Sequence, residues 1–456
     1  MAVSPGRAAA FRILLKVQRE GSYASELLHS PRCGKLSSAD HGLATELVMG
    51  ALRWQSLLDL WIAQASSQKL DRLDTEVLTA LRLGLYQIRF LSRIPVRAAI
   101  FESVELVKAA RKTSAAAYVN GVLRKLAASR NADGESREHS RSKDLFSAIH
   151  NANGPKLLEN AAHPEWLVRR WIERYGLETT RQICAYNQKA PATTIRVYDR
   201  RSLDELAALG IETAPGRLLS AARTVVAGDV TQTEAYRQGD ISIQDEASQL
   251  VGLLVGPGKT ILDCCAAPGG KTTLLARRNP AAMVIASELH PHRARILHRL
   301  ARPPNIRVIA ADACHLPLSI ALDSILADVP CSGTGTLAHN PEIKWRLTTQ
   351  DLHDLQMRQI DILRSALAQL SKGGRLVYST CSLEPEENEA VVEAALANTS
   401  EFFIADCQER LVQLQQVGEL RLDRADSLVD GPFLRTIPGV HSCDGFFAAI
   451  IERKNK

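Results

Sequence analysis

Apolar residues recur at helical spacing along the first quarter of the chain, from about residue 7 to about residue 128. In the segment DHGLATELVMGALRW, for example, Leu43, Leu47 and Leu52 fall on one face of a helix. The segment LTALRLGLYQI repeats this spacing, and no strand-like alternation interrupts the region. The pattern therefore predicts an all-α domain of five or more helices.

A change in pattern marks the end of this domain. Residues 129 to 144, SRNADGESREHSRSKD, lack apolar periodicity and are dense in Ser, Asn, Asp and Gly, which predicts a polar linker within a first domain spanning 1–150. Over 151–235, a helix around HPEWLVRRWIERYG precedes two strand-like pieces, ATTIRVYD and RTVVAG, and a short helix, SLDELAALG. This mixture predicts a small α+β module.

From residue 236 to residue 456, strands and helices alternate regularly. That order is typical of an α/β domain with a mostly parallel, Rossmann-like sheet. Ligands of such sheets bind where the strands end at their carboxyl edge. We therefore expect three domains, with the chemistry at the sheet edge of the third.

Composition and charge narrow the class of protein. With 45% hydrophobic and 23% charged residues, and no apolar run near the roughly 18 residues of a membrane span, we expect a cytoplasmic protein with no membrane partner. The net charge is +6, but residues 1–130 carry 19 Lys and Arg against 10 Asp and Glu. This excess is compatible with a polyanionic partner and equally with a solvated helical surface.

The nine cysteines exclude two kinds of site. They include no C-x-x-C pair, which argues against a zinc cluster and against a redox pair, so we expect no bound metal. Their odd number in a large chain argues against a disulfide framework.

A glycine-containing turn in KTILDCCAAPGGKTTLLARR is a candidate cofactor loop. It follows a buried strand and precedes a helix that begins near Lys271. A P-loop ending at Gly270 and Lys271 would need glycine at position 265, which is Cys265, and the turn lacks a G-x-G-x-x-G fingerprint. Because neither phosphate cradle is complete, an adenosyl cofactor without phosphates fits best.

Two acidic residues end the next two predicted strands. Glu288 ends MVIASELH, 25 residues after Asp263, a separation that suits a ribose diol. Asp312 ends the strand in IRVIAADA and would receive the adenine amine. Capping of the strand ends is the alternative role for each carboxylate.

Two cysteines end the fourth and fifth predicted strands. In DSILADVPCSGTGT the strand ends in Asp328-Val329-Pro330-Cys331, and in GRLVYSTCSLEPEENEA the strand ends in Thr380-Cys381. Both thiols therefore lie at the carboxyl edge beside the cofactor loop, where active sites of such sheets assemble. A cysteine inside a strand would more often be a buried core residue.

Methylation of cytosine explains a need for such thiols. Carbon 5 of a pyrimidine is too weak a nucleophile to accept a methyl group unaided, but a thiolate added to carbon 6 makes it an enamine carbon. Asp328 would hold the exocyclic amine or the protonated ring nitrogen. A second thiol would help to release the product.

These segments resemble the RsmB/Sun (Fmu) family of 16S ribosomal RNA cytosine-C5 methyltransferases, within the NOL1/NOP2/Sun superfamily. The matching motifs are QDEASQL, LDCCAAPGGKT, ADVPCSGTGT, YSTCSLEPEENE and DGFFAAII. In the helical region, ATELVMGALRW, LRLGLYQI and VNGVLRKL resemble the NusB-like RNA-binding domain of that family. The resemblance implies a ferredoxin-like, RRM-related middle module and a monomeric enzyme that uses S-adenosyl-L-methionine to methylate small-subunit ribosomal RNA.

The resemblance also implies residue roles. Cys381 matches the nucleophile, Cys331 the thiol that assists product release, and Lys271 a lysine lining the active site. Cofactor contacts are implied for Cys265, Ala266, Ala267, Pro268, Gly269, Gly270, Lys271, Glu288, Asp312 and Asp328. Since DNA cytosine methyltransferases use a P-C cysteine as nucleophile, the division of roles between Cys331 and Cys381 depends on the family.

Other interpretations make different predictions. A non-catalytic RNA-binding assembly factor with this fold would have lost the two cysteines, and both are present. In the loop after the first of them, His339 and Lys344 would lie in a solvated loop or reach phosphate. Trp345 would be a base-stacking surface or part of the core.

Overall fold

The computed structural model describes residues 3–132, 140–422 and 424–455. Contacts divide the chain into two units: residues 1–190 with 337–346, and residues 191–336 with 347–456. The second unit contains both the middle module and the large sheet. The short segment 337–346 thus belongs to the helical unit, although it lies between two elements of the large sheet in sequence.

The helical unit confirms the predicted all-α start of the chain. Its core contains the predicted positions Leu47 and Leu52, both buried. α3 begins after Ser37, whose hydroxyl accepts a hydrogen bond from the Asp40 amide and satisfies one free N–H of the first turn. The helices are α1 Pro5–Glu20, α2 Ala24–Leu28, α3 Ser38–Arg53, α4 Gln55–Ala65, α5 Thr75–Phe90, α6 Val96–Ala109, α7 Ala116–Ala132, α8 Ser140–His150, α9 Gly154–Asn160 and α10 Glu165–Asn187.

Helix covers both ends of the predicted linker at 129–144. α7 continues to Ala132 and α8 begins at Ser140, while residues 133–139 lie outside the described residues. Ala, Arg and Lys have good helix propensity whatever the apolar periodicity, so a polar segment can extend a helix. The predicted linker 129–144 thus has helical residues at its two ends.

The middle module is a four-stranded antiparallel sheet with two short helices. Its strand order is β2-β3-β1-β4, and the chain passes through the elements as β-α-β-β-α-β, which is the ferredoxin-like arrangement. The fourth strand pairs with the first and lies beyond residue 235, where the module was expected to end. The elements are β1 Thr194–Val197, α11 Arg201–Ala208, β2 Glu212–Pro215, β3 Ala222–Ala227, α12 Glu234–Gln238 and β4 Ile241–Ile243.

The remaining chain forms a nine-stranded mixed sheet with helices on both faces. Strands β9, β8, β5, β6 and β7 are parallel neighbours in that order, with β7 at the edge, and β13 joins β9 antiparallel. This confirms the Rossmann-like prediction. The elements are α13 Glu246–Leu254, β5 Thr260–Asp263, α14 Gly270–Arg278, β6 Met283–Glu288, α15 Pro291–Leu300, β7 Ile306–Ala310, β8 Leu322–Asp328, α16 Ile343–Arg346, α17 Thr349–Gln369, β9 Leu370–Thr380, α18 Glu389–Leu396, β10 Phe402–Ala405, α19 Cys407–Gln416, β11 Val429–Asp430, β12 Phe433–Thr436 and β13 Phe446–Arg453.

Strand alternation sends apolar side chains to the two faces of this sheet and so creates two cores. Ile261 of β5 packs on one face and Leu262 on the other, and both are fully buried. The register places Asp263 beside Leu326 and Asp328 beside Ser379. The strand ends therefore align at one carboxyl edge, which carries the candidate site.

Segment 337–346 corrects the expectation of a solvated loop. Lys344 on α16 is buried in the helical unit, where its ammonium donates to the Arg53 carbonyl at 3.0 Å. The Trp345 indole N–H donates to the Leu52 carbonyl at 2.6 Å. Burial holds the pKa of Lys344 well below its ordinary value. Neither side chain stands free in solvent, because α16 packs among the helices of that unit.

Within the described ranges, no helix is both long and apolar enough to cross a membrane.

Candidate active site

The predicted cofactor loop leaves β5 and leads into α14. Gly269 has a φ of +113°, a backbone region that L side chains rarely adopt, and a Cβ there would lie 2.6 Å from Leu297 Cδ1. The glycine therefore lets the backbone turn sharply over the sheet edge. Cys265 is partly exposed on this loop, whereas Cys264 is buried. Both follow the end of β5 and pack against the same core, so they do not alternate between the two faces of the sheet.

Asp263, the last residue of β5, was not predicted to have a role. Its carboxyl group is buried; one oxygen accepts from the Thr272 hydroxyl at 2.7 Å. The other oxygen, Oδ1, lacks a hydrogen-bond partner among the described residues. Burial raises the pKa of Asp263 to about 7. A buried acceptor without a partner is rare and fits a site that receives a cationic or N–H donor from a ligand.

Glu288 and Asp312 lie at neighbouring strand ends. Glu288 is the last residue of β6, and Asp312 comes two residues after the end of β7. Glu288 is buried and accepts from the His290 backbone N–H at 3.0 Å. Asp312 accepts from the Cys314 backbone N–H at 3.0 Å, a bond that lowers the pKa of Asp312. Each carboxylate thus caps its own loop, and both remain at the sheet edge beside the cofactor loop.

The two predicted cysteines meet at this edge. Cys331 and Cys381 follow the neighbouring strands β8 and β9, and their sulfur atoms are 3.3 Å apart. The hydrogen bond with Cys381, together with burial, raises the pKa of Cys331 well above its ordinary value. The two sulfur atoms share one S–H···S hydrogen bond, in which either cysteine could be the donor. The raised pKa of Cys331 favours Cys331 as the group that keeps its proton.

A lysine and an aspartate complete the group. Lys271 Nζ lies 2.7 Å from Asp328 Oδ2 and 5.0 Å from the centre of the Phe446 ring. Burial alone would lower the pKa of Lys271, but the Asp328 carboxylate outweighs it and raises that pKa. The other Asp328 oxygen accepts from the Ser379 hydroxyl at 2.7 Å. The ammonium is therefore kept charged beside Cys381.

Two glycines bring the thiol loops together. The Gly335 amide donates to the Cys381 carbonyl at 2.9 Å, and the Gly445 amide donates to the Gly335 carbonyl at 2.9 Å. A Cβ on Gly335 would lie 2.1 Å from the Gly445 carbonyl oxygen. Both glycines belong to motifs recognised in the sequence, GTGT and DGFF, but only the folded chain shows this close approach.

Side chains that could hold a metal ion do not cluster in the described part of the chain: no group of three or more His, Cys, Asp or Glu residues is placed to do so.

Comparison with known families divides the chain in the same way. Residues 4–128 match the NusB family, residues 163–225 match the ferredoxin-like domain of RsmF/B-like methyltransferases, and residues 252–452 match the 16S rRNA methyltransferase RsmB/F model. All three matches agree with the resemblance recognised in the sequence motifs.

Similar proteins match over nearly their whole length. The chain is 33% identical to the probable ribosomal RNA small subunit methyltransferase B of Bacillus subtilis, with 98% of each chain covered. It is 30% identical to the ribosomal RNA small subunit methyltransferase B of Escherichia coli O1:K1, again with 98% of each covered. Among solved structures, PH0851 has the same fold, with a TM-score of 0.75, 22% identity, and coverage of 98% of this chain and 99% of that one.

Proposed function

Because the chain belongs to the family of small-subunit ribosomal RNA methyltransferases B, we propose that it methylates carbon 5 of a cytosine in small-subunit rRNA. The observation that carries this proposal is the pair of thiols 3.3 Å apart at the ends of β8 and β9. A methyltransferase acting on an exocyclic amine has no need of a nucleophilic thiol, whereas carbon 5 requires one.

The cofactor of the proposed reaction is S-adenosyl-L-methionine, which supplies an electrophilic methyl group. Residues 265–270 would hold it against the sheet, with Lys271 and Asp328 beside them. Glu288 would bind its ribose and Asp312 its adenine amine. The partnerless Asp263 oxygen fits its ammonium group. In this arrangement the chain provides acceptors for the ribose, the adenine amine and the ammonium group of the cofactor.

The chain's own residues perform the covalent steps. The Cys381 thiolate adds to carbon 6 of the cytosine and forms a carbon–sulfur bond, and carbon 5 takes the methyl group. Asp328 holds the exocyclic amine or protonated ring nitrogen and stabilises the adduct. The proton on carbon 5 must then leave, and the carbon–sulfur bond breaks.

Cys331 completes the cycle. Its S–H group faces the sulfur that departs from carbon 6 and donates a proton to it. The Cys331 thiolate formed in this way accepts the proton from carbon 5, so that both cysteines end as thiols. Cys381 then loses its proton to solvent, which restores the starting state. The raised pKa of Cys331 suits this role, because a group of high pKa stays protonated until the sulfur beside it leaves.

Transfer of labelled methyl groups tests the proposal. The enzyme is incubated with labelled S-adenosyl-L-methionine and unmodified small-subunit rRNA, and the RNA is digested to nucleosides. We expect the label in 5-methylcytidine. Label in N4-methylcytidine or in a purine would contradict the assignment of the reacting atom. The same assay on assembled small subunits identifies which form of the RNA is the substrate.

A further inference from the structure

Glu387 joins the two cysteine loops, although neither the motifs nor the proposed chemistry assigned it a role. Its carboxylate is fully buried and accepts the backbone N–H of Ser332 at 2.7 Å. It also accepts the hydroxyl groups of Ser332 and Ser382. Ser332 follows Cys331, and Ser382 follows Cys381. One buried carboxylate is therefore bonded to the residue next to each thiol.

Neighbouring side chains extend this connection. The Gln359 amide donates to Glu387 at 3.0 Å and to the Pro330 carbonyl at 2.9 Å. The Asn388 amide donates to the Ser382 carbonyl at 3.0 Å. All these groups lie within one unit, and each fixes backbone within one or two residues of a catalytic sulfur. Hydrogen bonds to a charged acceptor are stronger than neutral ones, so the carboxylate is the strongest point of the network.

We propose that Glu387 is a positioning residue that sets the separation and orientation of the Cys331 and Cys381 sulfur atoms. This inference rests on the proposed roles of the two cysteines. Removing the carboxylate breaks the hydrogen bonds to both loops at once. Removing the Ser382 hydroxyl breaks the bond to one loop only, and removing the Ser332 hydroxyl leaves the bond from the Ser332 N–H. A displacement of about 1 Å at reacting atoms costs on the order of 10²-fold in rate.

The buried charge also affects one thiol more than the other. Glu387 adds to the rise in the pKa of Cys331, after the larger effects of the Cys381 hydrogen bond and of burial. Asp328, Lys271 and Tyr378 are the other titratable groups near this pair. Neutralising Glu387 should therefore lower the pKa of Cys331, so that this thiol ionises at lower pH. A loss of packing alone predicts no particular direction for that pKa change.

The test compares Glu387→Gln with Glu387→Ala. Glutamine keeps an acceptor for the Ser332 amide, so we expect methyl transfer within about tenfold of wild type. Alanine should lower kcat by about 10²-fold with KM for RNA little changed. In a Cys381→Ser background, alkylation of Cys331 followed by mass spectrometry should begin at lower pH when Glu387→Gln is added. Glu393→Gln, on the exposed side of α18, is the matched control and should change none of these values.

Several outcomes would overturn the role. A folded Glu387→Ala enzyme with wild-type kcat would show that the Cys331 and Cys381 loops keep their positions without the Glu387 carboxylate. If the pH dependence of Cys331 alkylation is unchanged in Glu387→Gln, the charge of Glu387 does not influence the pKa of Cys331. If Glu387→Ala does not fold, the double variant Ser332→Ala, Ser382→Ala replaces it, with the same expected loss of kcat. The alkylation readout needs no methyl transfer, so it separates this inference from failure of the proposed function.

A separate observation concerns α15 and the residues that flank it. Residues 289–310 contain five arginines and three histidines but no aspartate or glutamate. The helix buries only Ala294 and Leu297 and exposes the rest of its surface. The exposed basic side chains are His290, His292, Arg293, Arg295, His298, Arg299, Arg302 and Arg307. We call this surface the α15 basic face.

The arginines of the α15 basic face are not neutralised. Among the described residues, none of the five lies within 4 Å of a carboxylate oxygen. Elsewhere in the same unit, three exposed arginines are paired with carboxylates: Arg201 with Asp199, Arg237 with Glu234 and Arg424 with Asp426. Grouped arginines without carboxylate partners repel one another and attract polyanions.

We propose that the α15 basic face binds the phosphate backbone of the substrate RNA. The face starts two residues after Glu288, at the carboxyl edge of the sheet, and continues along α15 over about 15 Å, the length of ten helical residues. It is thus placed to hold RNA that flanks a base at the active edge. Arginine suits this contact because its planar guanidinium binds phosphate through two N–H groups. This inference rests on RNA being the substrate and not on which atom is methylated.

Binding of small-subunit rRNA measured over a range of salt concentrations tests the face. Replacing Arg293, Arg295 and Arg299 by glutamine should reduce the slope of log K against log salt by about one for each phosphate that the variant no longer binds. KM for RNA should rise by about tenfold or more, with kcat at saturating RNA unchanged. The control replaces Arg201, Arg237 and Arg424 by glutamine and removes the same charge. If both triple variants bind RNA equally weakly, net charge explains binding and the face has no special role.

Discussion

Replacement of Cys381 by alanine is expected to reduce methyl transfer by on the order of 10³-fold or more, because carbon 5 then has no activated form. Such a loss corresponds to about 4 kcal/mol of barrier height. The cofactor loop lies on another strand end, so binding of S-adenosyl-L-methionine, measured by calorimetry, should change little. Serine in the same place should be equally inactive, since its hydroxyl is a far weaker nucleophile than a thiolate at neutral pH.

The control for this variant is Cys407→Ala. Cys407 is buried in the core of the same unit, and its thiol contacts the Ala448 carbonyl. Its loss should lower the free energy of unfolding slightly and leave methyl transfer intact. If Cys381→Ala kept wild-type activity while Cys331→Ala lost it, the nucleophile would be the P-C cysteine and the proposed roles would be reversed.

The meeting of the two cysteines was predictable because it depends on topology. Each thiol follows a strand whose apolar pattern is clear, and parallel neighbours in a doubly wound sheet end at the same edge. Once β8 and β9 were expected to be neighbours, Cys331 and Cys381 had to lie near each other. The cofactor loop followed from the same argument, with Gly269 and Gly270 placed directly after β5.

The support around those thiols was not predictable. Glu387 occurs in YSTCSLEPEENE with three other glutamates, and periodicity does not tell which of the four carboxylates turn inward. Its burial depends on Ser332 and Gln359, which are 55 and 28 residues away in the chain. The role of Asp263 could not be predicted either. Its position at the end of a buried strand does not tell whether its carboxyl group has a hydrogen-bond partner.

Lys344 shows a different limit of sequence reasoning. A lysine in a polar loop after a strand is usually solvated, and the buried alternative needs an acceptor that the sequence does not reveal. Here the acceptor is a carbonyl at the end of α3, 291 residues away. A sequence pattern predicts the surroundings of an element from the residues next to it in the chain. It therefore fails for a segment, such as 337–346, that packs in a unit distant in sequence.

Replacement of Cys331 by alanine should trap the RNA on the protein. The Cys381 adduct still forms, and the methyl group still reaches carbon 5, but the departing sulfur loses its proton donor and the carbon 5 proton its acceptor. A covalent protein–RNA complex should therefore accumulate and be visible as a retarded band that survives denaturation. Turnover should stop after about one methyl group per enzyme, because each adduct blocks a site.

The double variant Cys331→Ala, Cys381→Ala decides whether this complex has the proposed origin. It should form no complex, since the trapped bond is made by Cys381 and by no other thiol. Labelled S-adenosyl-L-methionine adds a second criterion, because the RNA trapped by the single variant should already carry the label. Unlabelled trapped RNA would place Cys331 before methyl transfer, and free turnover in Cys331→Ala would mean that solvent alone exchanges both protons.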